Sequence, residues 1–417
     1  MVTGASGRAC HSGCADSPKK TADELSMTIP LPMTSPRVLM ISGNAPPMMD
    51  GVGDCTDRLL EALVRKRPDW RWFWLSRRPR WFHSPIVFRA GVALIRPSHA
   101  WTARGTALVR AAVKALRPDL VHIQEQIHSF HETGAACRIA EDVRGAGRPL
   151  VTTLHEYHVE LPSVRHTTGL VKLSTAVIAN DPRNAERCRS EAGRAVDACW
   201  WSGGTVLPPA PGARPPTVPG RLSTFGFLTS LKSLEVVSEA IRRLRPTHPD
   251  LDWRIIGPFD PESNPHHTEL AGRVGAEGTF TGGFSVRDPR LRALLAESQI
   301  MLLPFADGAS ERRTSLHAAW AHGLPVITTP PPTERTSIVD GENCLLVRAP
   351  TAASWAEAIG RVLSDDGLAQ RLRAGSLTMA ERFSWDRLAE RHIELYENLL
   401  RAQDGARGAR RAPSFSV

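Results

Sequence analysis

The sequence predicts an α/β protein built of two Rossmann-like, doubly wound domains that face each other across a cleft. Three observations carry this expectation. The chain has 417 residues, too many for one ordinary domain at about 100–200 residues each. Short apolar strands alternate with helical patterns on both sides of its middle, as parallel sheets covered on two faces require. Between the halves lies VLPPAPGARPPTVPG (206–220), whose six prolines can neither continue a helix nor sit inside a sheet, so it reads as a linker.

Taken in order, residues 1–35 are rich in Ser, Thr, Pro, Gly and Ala and lack periodicity, which reads as a disordered leader. The first domain is expected over 36–205. It opens with an apolar strand at 38–42, a Gly-containing loop and a helix at 56–66. Further strands are expected at 70–75, 120–124, 150–154 and 176–179. The second domain is expected over 221–403, with strands at 223–227, 253–256, 300–303 and 324–328. Helices at 234–244, 288–297, 316–322 and 353–363 alternate with them, and a closing C-terminal helix follows. Residues 404–417 read as a loose tail. In a doubly wound sheet, ligands collect at the carboxyl ends of the strands where the winding reverses.

Composition narrows the function classes. At 41% hydrophobic residues the chain can build cores, and no apolar run reaches the ~18 residues of a membrane span. The N-terminus lacks the apolar stretch of a secretory signal. Seven cysteines are scattered without a CxxC pair, which argues against a disulfide framework and against a zinc ribbon. The reading is a cytoplasmic protein with reduced thiols.

The net charge of +9 is unevenly placed: residues 36–205 carry +8 and residues 206–400 carry −2. Such asymmetry suggests an anionic partner for the first half. Most of the excess lies in RKRPDWRWFWLSRRPRWF (65–82), with net +6 and four tryptophans. One reading is a strand with inward tryptophans and a basic loop. Another is transient contact with an anionic membrane, or a grip on a phosphorylated acceptor. No nucleic-acid motif accompanies the charge.

Four places could carry chemistry. In the loop after the first strand, Gly51 and Gly53 let backbone approach a ligand in front of a helix start. His155, in TLHEYH at the end of a strand, could hydrogen-bond a ligand or simply cap the strand. Lys232 follows the strand-end segment FGFLTSLK and suits a phosphate. The segment PFADGASERRTSLHAAWAHGLPV is the richest. Arg312 and Arg313 precede a helix start at Thr314 and Ser315, where side-chain capping and free N–H groups would make a diphosphate clamp. His122, His155 and His158 are joined by no ligand at helical spacing, so no metal site is expected.

Together these segments resemble the GT-B glycosyltransferases of glycosyltransferase family 4, which are retaining and use nucleotide-sugar donors. The resemblance covers roughly residues 36–400. It rests on VLMISGNAPPMMDGVGD, PDLVHIQ, TLHE, FGFLTSLK, AHGLPVITT and DGENCLLV in this order. It implies a GT-B fold and transfer of a sugar from a nucleotide-diphosphate donor to a hydroxyl acceptor, with retention and without an obligatory metal or other cofactor. The acceptor would be a glycan, a glycolipid or a small natural product. The resemblance also implies catalytic roles for His155 and Lys232 and donor contacts from Gly51 and Gly53. The clamp read from the residues themselves adds Arg312 to the catalytic set, and Ser310, Arg313, Thr314 and Ser315 to the donor contacts.

Three features depart from the family pattern, at four positions. Phe227 stands where an arginine is usual, Ser310 and Ala318 fill the two acidic positions, and Cys344 replaces a glycine. In this reading Ser310 meets a sugar hydroxyl, while Arg312 and Arg313 supply the missing positive charge. The alternatives are a non-catalytic GT-B binding or partner protein and, more remotely, an NAD-dependent dehydrogenase, against which stands the absence of GxGxxG after either opening strand. A cytoplasmic enzyme, peripheral at the inner membrane face if the basic stretch meets lipid, completes the expectation.

Overall fold

The computed structural model describes residues 35–48, 50–79, 83–199, 204–209, 216–282 and 288–411. The chain opens with β1 (Arg37–Ser42), whose Val38–Ile41 core is wholly buried. A strand buried on both faces needs helices above and below it, and therefore parallel neighbours reached through crossovers. The helix α1 (Gly51–Lys66) supplies the first crossover to β2 (Arg71–Leu75), and the hairpin β3 (Ile86–Arg89) and β4 (Val92–Ile95) follows. Next come α2 (Ala103–Leu116), β5 (Leu120–Glu125), α3 (Ala135–Gly145), β6 (Leu150–Leu154), α4 (Val164–Leu173), β7 (Ala176–Ala179), α5 (Pro182–Ala192) and β8 (Ala198–Cys199). The sheet order is β3-β4-β2-β1-β5-β6-β7-β8, with β3 alone antiparallel to its neighbour. The winding reverses between β1 and β5.

The second sheet is built from β9 (Arg221–Phe225), α6 (Leu234–Leu244), β10 (Asp252–Ile256), α7 (Pro265–Val274), β11 (Gly278–Phe280), α8 (Pro289–Ala296) and β12 (Ile300–Leu303). It continues through α9 (Thr314–Ala321), β13 (Val326–Thr328), β14 (Leu345–Leu346), α10 (Ala352–Ser364) and α11 (Asp366–Arg382). Its order, β11-β10-β9-β12-β13-β14, reverses between β9 and β12. Several helix starts follow from local chemistry. Asp181, Asn264 and Asp288 each accept a backbone N–H from the first turn, and each is followed by proline at the first helical position.

Two expectations need correction. The helix expected from residue 56 begins at Gly51, because Asp50 caps it by accepting the Gly53 N–H at 2.6 Å. Two glycines in the first turn, poor helix formers, hid that start in the sequence. The tail expected to be loose from residue 404 is helical as far as Arg411, the end of α12 (Trp385–Arg411); residues 412–417 lie outside the described residues, as does the leader 1–34. Of the proline-rich stretch, Val206 and Leu207 are buried in the second domain's core, and 210–215 lie outside the described residues.

Helix α12 follows the second domain in sequence but packs on the first. Tyr396 is fully buried, stacks on Trp70 at 6.5 Å between ring centroids and hydrogen-bonds His122 Nδ1 at 2.5 Å. Along its edge Asp386 pairs with Arg65 at 2.6 Å, Glu390 with Lys66 at 2.6 Å, and Glu397 with Arg67. For residues 65–82 the structure bears out the reading of a strand with inward-facing tryptophans. Trp70, Trp72 and Trp74 are each at most 4% exposed, facing inward as strand alternation requires. The first three basic residues are neutralised by acids some 320 positions later. Arg80, Trp81 and Phe82 lie outside the described residues.

Burial holds the His155, His317 and His392 pKa values down at about 4, and that of His122 well below the ordinary range. Each is therefore neutral when folded and takes up a proton below about pH 6.5 when unfolded. Stability is fully present above pH 6.5 and falls as acid is added, by about 1 kcal/mol per pH unit for each histidine. Glu125, pushed up to about 7 by burial, runs the other way and offsets one of the four. Urea midpoints measured from pH 6.5 to pH 4.5 should fall continuously; a flat profile would contradict the buried neutral histidines.

Candidate active site

The carboxyl ends of β9 and β12, at the reversal of the second sheet, face those of β1 and β6 in the first. Between them lies a hollow of about 310 Å³. Gly51, His155, Lys232, Arg312, Arg313, Thr314 and Ser315 all line it, together with Gln126, Glu156 and Gly226. Residues up to 264 positions apart, from Gly51 to Ser315, thus meet because both sheets present their strand ends to one cleft.

Lys232 is held from below. Its backbone bridges to Phe305 after β12, and its ammonium donates to the Phe225 carbonyl at 2.8 Å. Gly226 makes room: its φ is +117°, and a Cβ there would stand 2.8 Å from Lys232 Nζ. No carboxylate among the described residues pairs with this ammonium. Burial, and then the Arg313 charge, lower its pKa to about 7. The lysine is thus poised to gain a full charge when an anion arrives.

Helix α9 begins beside it with Arg313 as N-cap and no side-chain cap. Thr314 and Ser315 are therefore first-turn residues rather than caps, and the uncapped positive end opens on the cleft. The two arginines are not the bare cations that the sequence suggested. Both Asp307 carboxylate oxygens accept from Arg313, whose guanidinium also lies 4.7 Å from the Phe305 ring centre. Arg312 reaches Glu156 at 3.3 Å, Asp307 at 3.5 Å and Asp181 at 3.6 Å. Three carboxylates balance two guanidiniums, and two of those acids come from the other domain.

His155 follows β6. Its backbone carbonyl accepts from Asn180 and Asn184 at 2.8 and 3.0 Å. Its Nε2 lies 2.8 Å from Gln124 Oε1, while the Gln124 amide nitrogen faces Met40 Sδ and His122 Nε2 at 3.3 Å. With Gln124 accepting, the proton sits on Nε2 and Nδ1 is an acceptor. Burial lowers the pKa to about 4, so this is a neutral, oriented imidazole.

Two expected donor residues are placed otherwise. Gly53 has its N–H taken by Asp50, and a Cβ there would come within 2.9 Å of the Asn44 carbonyl. It is glycine for packing, and does not line the hollow. Ser310 lies off the main hollow, in a side pocket of about 20 Å³ shared with Asp181, Asp307 and Glu311. The loop bends at Gly308 (φ +88°) against Pro330 and Pro332. Glu311 is turned inward, where it accepts from Thr336 at 2.9 Å and from the Ser337 N–H. Ala318 is fully buried in the core. No acid therefore occupies either of the two usual positions.

The sequence reading missed Asp50, Gln124, Glu156, Asp181 and Asp307. Asp50 and Asp181 carried a signal, an Asp directly ahead of a helix. The partners of the arginines carried none, since they are set by domain juxtaposition. Among the described residues, no group of three or more His, Cys, Asp or Glu could hold a metal ion, and no helix is long and apolar enough to cross a membrane. The five described cysteines are free.

Comparison with known proteins agrees with this architecture. Residues 220–365 match the family described as Glycosyl transferases group 1. The chain is 29% identical over 189 residues to a D-inositol 3-phosphate glycosyltransferase of Nocardioides sp., covering 41% of this chain and 40% of that protein. It is 26% identical over 276 residues to the same-named enzyme of Streptomyces bingchenggensis, covering 63% and 55%. Its alignments thus span about half, or less, of these relatives' own lengths. Among solved structures it superposes on sucrose-phosphate synthase from Thermosynechococcus elongatus with a TM-score of 0.71 at 16% identity, over 88% of this chain and all of the other. It superposes on Anabaena HepE in complex with UDP and glucose with a TM-score of 0.66 at 16% identity, over 87% and 100%. The chain has the GT-B fold, two Rossmann-like domains about a cleft, and resembles the glycosyltransferases of family 4 in sequence.

Proposed function

We propose that the protein is a glycosyltransferase that moves a sugar, with retention, from a uridine-diphosphate donor to a hydroxyl acceptor. The observation that carries this reading is Lys232. It is a buried ammonium without a carboxylate partner among the described residues, beside the uncapped start of α9 and across the hollow from neutral His155. The chemistry needs such a place. As the C1–O bond to the β-phosphate breaks, its electrons pass to the leaving diphosphate. The acceptor oxygen bonds C1, and its proton passes to the departing phosphate oxygen. Lys232 and the N–H groups of α9 meet the growing negative charge, which lowers the barrier. His155 accepts a hydrogen bond from a sugar hydroxyl through Nδ1 and orients the ring. The Arg312 pairs to Glu156 and Asp181 tie the two walls of the cleft together and exclude water.

Uridine is favoured because UDP is bound by the Anabaena and pneumococcal neighbours of the same fold. Thermal-shift titration with UDP, ADP and GDP tests this. UDP should raise the melting temperature most, and equal or absent shifts with all three would remove the donor assignment.

A further inference from the structure

Resting on that reading, we propose that helix α12 sets the tautomer of His155, with Tyr396, His122 and Gln124 as the positioning residues. The three form one buried chain from the C-terminal helix to the active-site imidazole. His122 Nδ1 lies 2.5 Å from the Tyr396 hydroxyl. Its Nε2 lies 2.8 Å from Thr153 Oγ1 and 3.3 Å from the Gln124 amide nitrogen. Gln124 Oε1 then meets His155 Nε2 at 2.8 Å. Tyr396, His122, Gln124 and His155 are all buried, so each polar group depends on the others for its partner.

Each link constrains the next, because an amide and a neutral imidazole both carry a donor and an acceptor at fixed places. The Gln124 amide nitrogen also faces Met40 Sδ at 3.3 Å, and a thioether can only accept. That contact turns the NH2 group toward Met40 and His122, and the carbonyl oxygen toward His155. His122 Nε2 must therefore accept, so the His122 proton sits on Nδ1 and is donated to the Tyr396 oxygen. His155 must in turn donate from Nε2, which leaves its Nδ1 to accept from the sugar hydroxyl. The Thr153 hydroxyl rotates to suit either form and decides nothing. Burial keeps both rings neutral, holding His155 down at about 4 and His122 well below the ordinary range. Only the placement of one proton per ring is at stake.

The Tyr396 oxygen anchors the far end of this order. Without it the Nδ1 proton of His122 is buried unpaired, which costs more than losing a weak contact to sulfur. Returning the proton to Nε2, where Thr153 accepts it, removes that cost but sets an N–H against the Gln124 NH2 group. The amide then turns over, its NH2 meets His155 Nε2, and the His155 proton moves to Nδ1. Each ring still holds one proton, yet an imidazole that accepted from the sugar now donates to it. The active-site histidine thus has its working form only while the chain's last helix is docked on the first domain.

Nitrogen-15 NMR of the full chain at neutral pH, with the His122 and His155 signals assigned, tests the proposal, because protonated and bare imidazole nitrogens resonate far apart. In the wild type His155 should carry its proton on Nε2 and His122 on Nδ1. In Tyr396→Phe both protons should sit on the opposite nitrogens. The kcat for UDP release should fall about tenfold, the worth of about one hydrogen bond, with UDP affinity unchanged. A role in packing alone would leave both tautomers in place. A wild type with His122 protonated on Nε2, or a variant whose His155 keeps its proton on Nε2, overturns the proposal. Should the variant fail to fold, the wild-type tautomers decide alone. A wild type that releases UDP from no sugar donor would instead overturn the proposed reaction, and the tautomers would still decide this inference.

Discussion

Lys232→Met lowers kcat/KM for the sugar donor by about 10²- to 10³-fold, equivalent to about 3–4 kcal/mol of transition-state stabilisation. The ammonium is the cleft's one cation without a carboxylate partner among the described residues, and methionine keeps the length of the stem while removing the charge. The wild type should also show a particular pH profile. With a pKa of about 7 in the free protein, Lys232 is charged below that value and neutral above it. A diphosphate binds the charged form, so donor affinity is constant below pH 7 and falls about tenfold per unit above it. Loss of the break near pH 7 in Lys232→Met, measured as log kcat/KM against pH, identifies the lysine as its source. A break of unchanged position in the variant would assign it elsewhere.

Tyr396→Ala destabilises the fold by about 3–5 kcal/mol, the usual cost of truncating a large buried aromatic. It removes the stack on Trp70 and leaves His122 Nδ1 without its hydroxyl partner. The loss goes beyond packing, because α12 is the second domain's last helix lying on the first. His122 in turn contacts Gln124, which orients His155. Urea denaturation measures the first effect. A Tyr396→Phe variant separates the second: it keeps the ring and loses only the hydrogen bond, so it should cost about 1 kcal/mol. Equal stability of Tyr396→Ala and wild type would show that α12 is not docked as described.

The sheets were legible because buried parallel strands read as short apolar runs, and β1, β5, β6 and β12 stand out on that signal alone. Lys232, His155 and Arg312 were legible because each follows a strand end, where this fold exposes side chains. Gly53 misled for a physical reason: a glycine needed for close packing on Asn44 looks the same in sequence as one that admits a ligand. Ser310 misled because register along a loop does not say which way the loop turns at Gly308. In the basic run at 65–82 the alternation of the tryptophans was legible and the pairing of the charges was not. Arg65, Lys66 and Arg67 looked free because their partners lie in α12, which only tertiary structure brings to them. The same holds for Arg312, whose carboxylates at 156 and 181 belong to the opposite domain.

On the proposed function, this cleft breaks the bond between a sugar and a nucleoside diphosphate. Release of UDP from a panel of UDP-sugars, followed with wild type and with Lys232→Met at equal, folded concentrations, tests it most directly. The wild type should release UDP from at least one sugar donor, and the variant should lose about 10²-fold or more of that rate. UDP binding with no release from any donor, or release at the same rate by both proteins, would contradict it, the first outcome marking a binding protein that keeps the fold without the reaction.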